Sequence, residues 1–444
     1  MSVSKYLFSI LLLLSLPTVN AQKKWSLEAC ISYAKEHNIN IVKQAIRNKI
    51  LARDIKIAKG NYLPNANFNA SQNFSLGNSF NVSTGVGQSE SSSNSFSLSS
   101  SFAIFNGFSN KYKLQKAKLS EQKGEAEIEK IRFDLNLNIT NRYLQILFNK
   151  EILKVAKEQV TISSNNFNRL QQLYKKGLTS KKELLEIEAT LANDKKEVII
   201  ANNNITKGLI ELREIIDVKK VENFDIQELS LLKNPNLMVE ISTKNIENNP
   251  IIKTLNFSYQ LKKKEIQLSK VNFYPRINFN YSYSSNYFHI IGKKDEVLNQ
   301  QTNQLVPNGF FTQLKNNKTH YVGISAVIPI FNRFLTTENY KKSLDELKIS
   351  ELDLKNNKKL LANKIEIAQN DIEQAKASLK ASKIAFLAQQ EAFIMIQKNY
   401  NKGNNSSYEF LESKAKLTRN KAAYIKAKYE LYFKEKILAF YFQE

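Results

Sequence analysis

The chain contains one stretch twice, first as Tyr174-Lys-Lys-Gly177-Leu-Thr-Ser180-Lys-Lys-Glu183-Leu-Leu-Glu186 and, 226 residues later, as Tyr400-Asn-Lys-Gly403-Asn-Asn-Ser406-Ser-Tyr-Glu409-Phe-Leu-Glu412. A second pair, Ala103-Ile-Phe105-Asn and Pro329-Ile-Phe331-Asn, recurs at the same spacing. Segments that return at one spacing indicate an internal duplication, and this period is far longer than that of solenoid repeats. The sequence therefore predicts two copies of one large structural unit, at residues 22–230 and 251–444, joined by a linker or small side element at 231–250.

Residues 1–21 have the pattern of a secretory signal peptide. Lys5 supplies the positive start, an apolar run extends from Leu7 to Leu16, and Val19-Asn-Ala21 is a small-residue cleavage site. Such a segment is too short, and wrongly flanked, for a membrane anchor. The rest of the chain is therefore expected to leave the cytoplasm.

The formal net charge of +24 raises the alternative of a nucleic-acid-binding protein. The lysines are scattered along helical patterns, however, and the chain has no helix-turn-helix, zinc-knuckle or RNA-recognition signature. The composition therefore indicates solvated, lysine-rich helix faces, and no nucleic-acid partner is expected.

Four segments alternate between apolar and polar residues, which is typical of strands with one apolar and one polar face. They are predicted at residues 65–76, 95–105, 276–287 and 320–331, and in the first of them Phe68, Ala70 and Phe74 oppose asparagines and serines. Each is about ten residues long, the length of a tilted strand that crosses a bilayer, and the Ser- and Asn-rich faces suit a water-filled lumen. A soluble sandwich with one wet face is the alternative.

Four strands cannot close a barrel, and open sheet edges are not tolerated in lipid. If the strands span a membrane, several chains must share one barrel, and three chains supply twelve strands, an even number within the known range. Aromatic residues gather near the predicted strand ends, as in an interfacial girdle, for example Tyr62, Phe105, Tyr274 and Phe331.

A polar, proline-free run follows each strand pair and extends to Tyr174 in the first copy and to Tyr400 in the second. In the second run apolar residues recur every seven positions, and the positions 226 residues earlier are apolar as well: Ile365, Ile372, Leu379, Phe386, Phe393 and Tyr400. A seven-residue period predicts coiled-coil packing. Gly177 and Gly403 stand between outgoing and returning stripes, so each predicts the turn of a long helical hairpin.

The sequence offers no catalytic site and no metal or cofactor site. His37, His289 and His320 lie apart from any Cys or carboxylate at ligand spacing, and no HExxH, Walker, GxSxG or paired-Cys motif occurs. The chain is therefore expected not to be an enzyme.

An acidic pair follows each predicted hairpin turn: Glu183 and Glu186 in the first copy, Glu409 and Glu412 in the second. Residues three apart share a helix face. Two interpretations are open. The pairs either complement the positive end of the helix dipole, or point into a pore, where three chains would bring six carboxylates around one axis and favour cations.

The ordered, duplicated set of motifs resembles the TolC family of outer-membrane efflux proteins. The resemblance covers almost all of the chain after the signal peptide. It rests on the early Leu27-Glu28-Ala29 helix, Tyr62-Leu-Pro64, the Phe105-Asn106-Gly107 turn, both Tyr-x-x-Gly hairpins and the duplication itself.

The resemblance implies an α+β membrane protein. The family forms a homotrimer with one shared twelve-stranded barrel in the outer membrane and a coiled-coil tunnel of helical hairpins in the periplasm. The implied partners are a periplasmic adaptor (membrane fusion) protein, an inner-membrane pump and outer-membrane lipid. No cofactor is implied.

The same resemblance assigns roles at the hairpins. Acidic residues after the second-copy turn line the periplasmic constriction in the family, and Glu409 and Glu412 occupy those places, with Glu183 and Glu186 as first-copy counterparts. The tips resemble the adaptor-docking surface, which gives this expectation for four residues: Gly177, Gly403, Tyr174 and Tyr400.

One departure from the family pattern concerns the gate. The family often has a basic residue two positions after the second-copy glycine, where it helps to lock the closed state, and this chain has Asn405 there. The acids are also Glu where Asp is familiar. An ion-pair lock at this position is therefore not expected, and the gate is expected to rely on other contacts.

The predicted function is that of a passive exit duct in a tripartite efflux or type I secretion system. The chain has no energy-coupling motif, so its partners must supply the driving force. The alternative is a secreted coiled-coil structural protein or adhesin, which explains the heptads but not four alternating strands in two symmetric pairs.

Overall fold

The computed structural model describes residues 24–81, 85–88, 90–219, 224–228 and 243–442. The predicted signal peptide and residues 231–242 of the predicted linker lie outside this part of the chain. Contacts group the chain into a helical unit (Met1–Ile46, Ala126–Thr254 and Asn356–Glu444) and a sheet unit (Arg47–Glu125 and Leu255–Lys355). Each unit takes residues from both copies, so the duplication and the compact units divide the chain differently.

The helices and strands follow one order in both copies: helices, strands, then two long helices. The helices are α1 (Leu27–His37), α2 (Ile39–Gly60), α3 (Ser109–Lys175), α4 (Lys181–Ile216), α5 (Thr243–Asn248), α6 (Pro250–Lys270), α7 (Phe310–Asn316), α8 (Leu335–Asn401) and α9 (Ser407–Phe442), and a 3₁₀ turn (Val271–Phe273) follows α6. The strands are β1 (Asn67–Ser75), β2 (Asn78–Asn81), β3 (Gly85–Gln88), β4 (Ser91–Phe105), β5 (Arg276–Ile290), β6 (Glu296–Asn299), β7 (Gln304–Pro307) and β8 (Thr319–Val327).

The sheet unit contains a fully antiparallel four-stranded sheet in the order β1-β4-β5-β8. The register brings like residues together, because Asn69 pairs with Ser97, which in turn pairs with Ser284. One face is therefore a surface of serines and asparagines. The opposite face carries the apolar residues and stays exposed in the single chain, where Phe68 is 68% and Ile324 is 69% exposed.

Two strand boundaries differ from the sequence prediction. The strand predicted at 320–331 ends at Val327, so Ile328 and Ile330 do not extend its apolar row. Pro329 explains this early end, because proline offers no N–H to the ladder and restricts the residue before it. The strand predicted from residue 95 begins at Ser91, because residues 91–94 pair with β1 and β5 although they lack an apolar alternation.

The helical unit is built from two hairpins, α3–α4 and α8–α9, whose outgoing helices have 67 residues and whose returning helices have 36. Heptad positions are buried along both outgoing helices, as at Ile139, Ile146, Ile365, Ile372 and Phe393. The stripe therefore forms a seam between helices whose other faces are polar, as coiled-coil packing requires. No helix of the described chain combines the length and apolar character that crossing a membrane requires.

The N-terminal segment is held against the middle of α3. Tyr143 is fully buried, and its hydroxyl lies 3.0 Å from the carbonyl oxygen of Trp25 and 2.7 Å from that of Gln227. Lys150 adds an ion pair of 2.5 Å with Asp225. The cluster fixes the start of the chain to a hairpin helix far along the sequence.

Candidate functional site

Both hairpin turns have the same backbone geometry. Gly177 and Gly403 have φ angles of 73° and 83°, which glycine adopts without steric cost. The N–H of the residue after each glycine donates to the carbonyl five residues before it, over 2.9 Å in the first turn and 3.0 Å in the second. This is the closing bond of a Schellman motif, which satisfies carbonyls at the end of a helix. α3 and α8 therefore end for the same local reason.

A serine begins each returning helix. The N–H of Glu183 donates to Ser180 Oγ over 3.2 Å, and the N–H of Glu409 donates to Ser406 Oγ over 3.3 Å. In the second turn the bond is reciprocal, because Glu409 Oε2 accepts from the Ser406 N–H at 2.8 Å and from its hydroxyl at 3.1 Å. This arrangement is a capping box, which satisfies donors at the start of a helix.

Asn405 belongs to the same cap. Its side-chain amide donates to Glu409 Oε2 over 3.1 Å. The hydrogen bond from the Ser406 backbone, followed by that from Asn405, holds the pKa of Glu409 below its usual value. Within this chain, the residue that replaces the family's basic residue therefore supports a helix start instead of an ion pair.

The four acids have different local partners. Glu183 accepts a hydrogen bond from the Thr179 hydroxyl. Glu186 and Glu412 each pair with a lysine one turn away on the same helix, at 3.9 Å and 2.8 Å. Exposed pairs of this kind contribute only about 0.3–0.5 kcal/mol. Glu186 and Glu412 therefore remain available to another partner, whereas Glu183 and Glu409 are engaged at the helix starts.

The two tip tyrosines have different environments. Tyr174 is 41% exposed, whereas Tyr400 is 7% exposed and stacks on Phe410 with ring centroids 4.7 Å apart. Arg169 of α3 lies over the Tyr400 ring, 5.0 Å from its centroid. Its guanidinium also donates to the backbone carbonyls of Tyr400 and Asn401, both at 3.1 Å. A cation at the C-terminal end of a helix complements the helix dipole, so Arg169 ties the first hairpin to the end of α8.

A second tie between the hairpins is buried. Lys414 of α9 forms an ion pair with Asp194 of α4 and donates a hydrogen bond to Ser163 of α3. The Lys414 side chain is 5% exposed. Burial lowers the pKa of Lys414 and outweighs the opposite effect of Asp194.

Sequence reasoning found the acids, the glycines and the tyrosines at the tips but missed Arg169, Asp194 and Lys414. These residues depart from the repeat: Met395 is the counterpart of Arg169, Asn420 that of Asp194, and Glu188 that of Lys414. A charge that one copy has and the other lacks, inside a stretch that otherwise matches, is the signal that could have identified them. It indicates contacts that only one copy makes.

The sequence matches the family model described as outer membrane efflux protein over residues 30–217 and 242–441. No curated protein matches it significantly. Among solved structures, CusC aligns with a TM-score of 0.80 at 12% identity, over 94% of this chain and 91% of that chain.

Two further structures are similar over their whole lengths. The CmeC outer membrane channel of Campylobacter jejuni has a TM-score of 0.80 at 15% identity, over 94% of this chain and 85% of that chain. The outer membrane protein VceC from Vibrio cholerae has a TM-score of 0.75 at 12% identity, over 94% of this chain and 95% of that chain. At such identities the likeness shows the fold. Because the family model covers most of the sequence in two successive segments, the chain belongs to the outer membrane efflux protein family.

Proposed function

We propose that three copies of the chain form a passive exit duct that receives cargo from a periplasmic pump assembly and releases it outside the outer membrane. Channels of this family lie in the outer membrane, extend into the periplasm and are not enzymes. They are trimeric and work with adaptor proteins and inner-membrane pumps. The observation that carries the proposal is one chain that combines a sheet with two free edges and hairpins of 67-residue helices, each about 100 Å long at 1.5 Å per residue.

The sheet supports a shared barrel. Within the described chain β1 pairs only with β4, and β8 only with β5. Unpaired strand edges are unstable in lipid, so β8 of one copy would pair with β1 of the next, and three copies would close a ring of twelve strands. The exposed apolar face would then contact lipid, and the Ser- and Asn-rich face would line the water-filled lumen. A secreted stalk would gain nothing from this division of faces.

We infer that the hairpin tips dock a periplasmic adaptor. A side chain placed at Gly177 or Gly403 would meet no group within 4 Å, so both glycines lie on an open surface. Leu178 beside them is 68% exposed and offers an apolar contact. An adaptor of a tripartite efflux or a type I secretion system would fit these tips, and the family description favours efflux.

We propose Glu412 as the acid that restricts the periplasmic end of the duct. The capping box engages Glu409, whereas Glu412 is held only by an exposed pair with Lys416. Three copies would place three Glu412 carboxylates around one axis, which attracts divalent cations.

The test is conductance in planar bilayers with Mg²⁺ added from the periplasmic side. Glu412→Gln is expected to raise conductance and to weaken Mg²⁺ block roughly tenfold, the loss expected for about 1.4 kcal/mol of binding free energy. Glu409→Gln is the matched control, because it removes an equal charge that the cap already engages. Unchanged block in Glu412→Gln would reject the constriction, and a wild-type protein without conductance would reject the duct.

A further inference from the structure

The polar face of the sheet is almost free of charge. Strands β1, β4 and β8 contain no Asp, Glu, Lys or Arg, and β5 contains a single one, Arg276 at its first position. His289 and His320 are the other titratable groups of the basic kind in these four strands. A lone charge on a neutral surface dominates the local potential, since no neighbouring charge offsets it.

Arg276 lies on the Ser- and Asn-rich face. Side chains alternate along a strand, so Arg276 shares its face with Asn278 and Asn280. The register from Arg276 to Ser284 runs without a bulge against β8, which preserves this alternation. In the proposed trimer this face lines the lumen, and Arg276 stands at the end of the strand that follows α6.

The guanidinium is only partly engaged. It donates one hydrogen bond, to Asn272 Oδ1 over 2.8 Å, and no carboxylate of the described chain lies within ion-pair distance of it. An arginine has five N–H donors, so most of them remain for another acceptor.

A pocket of about 370 Å³ adjoins this guanidinium. Its polar lining consists of amides and one hydroxyl and contains no acid: Asn272, Asn332, Thr336 and Asn339. Amide N–H groups and a hydroxyl can donate to an anion beside the arginine, and nothing in the lining repels one.

The other copy of the repeat lacks this charge. Pro64 and Pro275 occupy matching places before the first strand of each copy, so Asn65 is the counterpart of Arg276. The Asn65 carboxamide oxygen accepts from the Ser101 N–H over 2.8 Å and from the Ser101 hydroxyl over 3.1 Å. The first copy therefore uses this position for a local hydrogen bond, whereas the second presents a charge. A trimer would contain three such arginines, alternating with three neutral asparagines.

We propose that Arg276 is an anion-binding residue of the lumen, which makes the strand-lined section of the duct prefer cargo with a carboxylate or phosphate group. The proposal rests on the trimeric duct proposed above. Arginine suits this role because its planar fork matches both groups with two parallel hydrogen bonds. The binding is expected to be weak, since a conduit must release what it attracts.

The test uses purified, reconstituted protein in planar bilayers under a KCl gradient, with citrate as a tricarboxylate probe. Arg276→Asn introduces the first-copy residue and is expected to lower the chloride-to-potassium permeability ratio about twofold or more and to weaken citrate block by a similar factor. Arg276→Lys keeps the charge without the fork, so it should retain the permeability ratio while losing part of the citrate block.

Asn65→Arg tests the reverse change, because it would place six arginines in the ring and is expected to raise the permeability ratio. Arg132→Asn is the charge-matched control, since Arg132 pairs with Glu129 on α3 and its removal changes the net charge equally. An Arg276→Asn duct that conducts with wild-type selectivity and wild-type citrate block would overturn the anion site and leave the duct intact. A wild-type protein that does not conduct would overturn the duct itself.

Discussion

At the scale of single residues, matching positions of the two copies have the same backbone but different surroundings. Gly107 and its counterpart Arg333 both have left-handed φ angles, 63° and 56°. A side chain at Gly107 would place its Cβ 2.9 Å from the Cβ of Tyr274 and 3.1 Å from the carbonyl oxygen of Val271. The conformation itself is thus compatible with a side chain, and the close approach of Tyr274 is what requires glycine at residue 107.

We expect Gly107→Ala to destabilise the protein more than Gly177→Ala. Both changes incur about 1–2 kcal/mol for a left-handed residue. At Gly107 overpacking adds about 1–3 kcal/mol, because the neighbouring atoms belong to or adjoin the backbone and cannot move aside cheaply. Thermal unfolding of the detergent-solubilised variants measures the difference. Equal shifts of the midpoint would show that the contact with Tyr274 is not decisive.

At the scale of helices, a regular heptad stripe contains one irregular polar contact. Ser163 is completely buried, and Lys414 and Asp194 meet beside it, each from a different helix. A buried pair contributes little net stability compared with apolar residues of equal volume, but breaking it leaves a charge without a partner. Its effect is to select one alignment of α9 against the first hairpin, since a shifted helix would leave Lys414 unpaired.

We expect Lys414→Met to destabilise the protein by about 3 kcal/mol, the low end for a buried pair, because the Asp194 side chain keeps 19% exposure. The double variant Lys414→Met/Asp194→Asn should recover most of this loss, since it removes both charges. Thermal midpoints of the two single variants and the double variant form the required cycle. Additive shifts would contradict a direct pair.

The buried lysine also predicts a pH dependence. Burial lowers the folded pKa of Lys414, so between that pKa and the ordinary lysine value of about 10.4 the unfolded chain binds more protons than the folded one. The contribution of Lys414 to stability therefore rises with pH across this window. The thermal midpoint of the wild type relative to Lys414→Met should increase from neutral pH towards pH 10, and a constant difference would contradict the lowered pKa.

At the scale of the whole molecule, the duplication provides two similar hairpins but only one set of ties between them. Arg169 joins the first hairpin to the end of α8 in the same chain. In a ring of three copies, the equivalent place between chains would have Met395, which cannot donate a hydrogen bond. The chain is therefore expected to move as one two-hairpin body, with weaker contacts between copies.

We expect Arg169→Met to increase conductance of the reconstituted duct. Hydrogen bonds from a charged donor contribute about 1.5–3 kcal/mol, so their loss would shift the ratio of closed to open tips by roughly tenfold or more. Single-channel recording measures the open fraction. Arg142→Met is the control, because Arg142 pairs with Glu211 inside the first hairpin and not between hairpins. A wild-type open fraction in Arg169→Met would exclude Arg169 from the gate.

Patterns of short range in the sequence determined the types of secondary structure, the hairpin turns and the duplicated arrangement. A period of two or seven residues and a glycine after a helix act through neighbouring residues, so they are readable without the fold. The same local physics places Ser406 and Glu409 at a helix start. The end of the fourth strand at Val327 was missed because Pro329 lies inside an otherwise regular alternation.

Only the tertiary structure decided which charges are engaged and which are available. Arg169 meets Tyr400, and Lys414 meets Asp194, across more than 200 residues of sequence. Such contacts depend on which faces of two long helices come together, and no local period specifies that. The acidic pairs show the same limit, because their spacing of three residues is equal in both copies, yet Glu409 closes a capping box while Glu412 stays exposed beside Lys416.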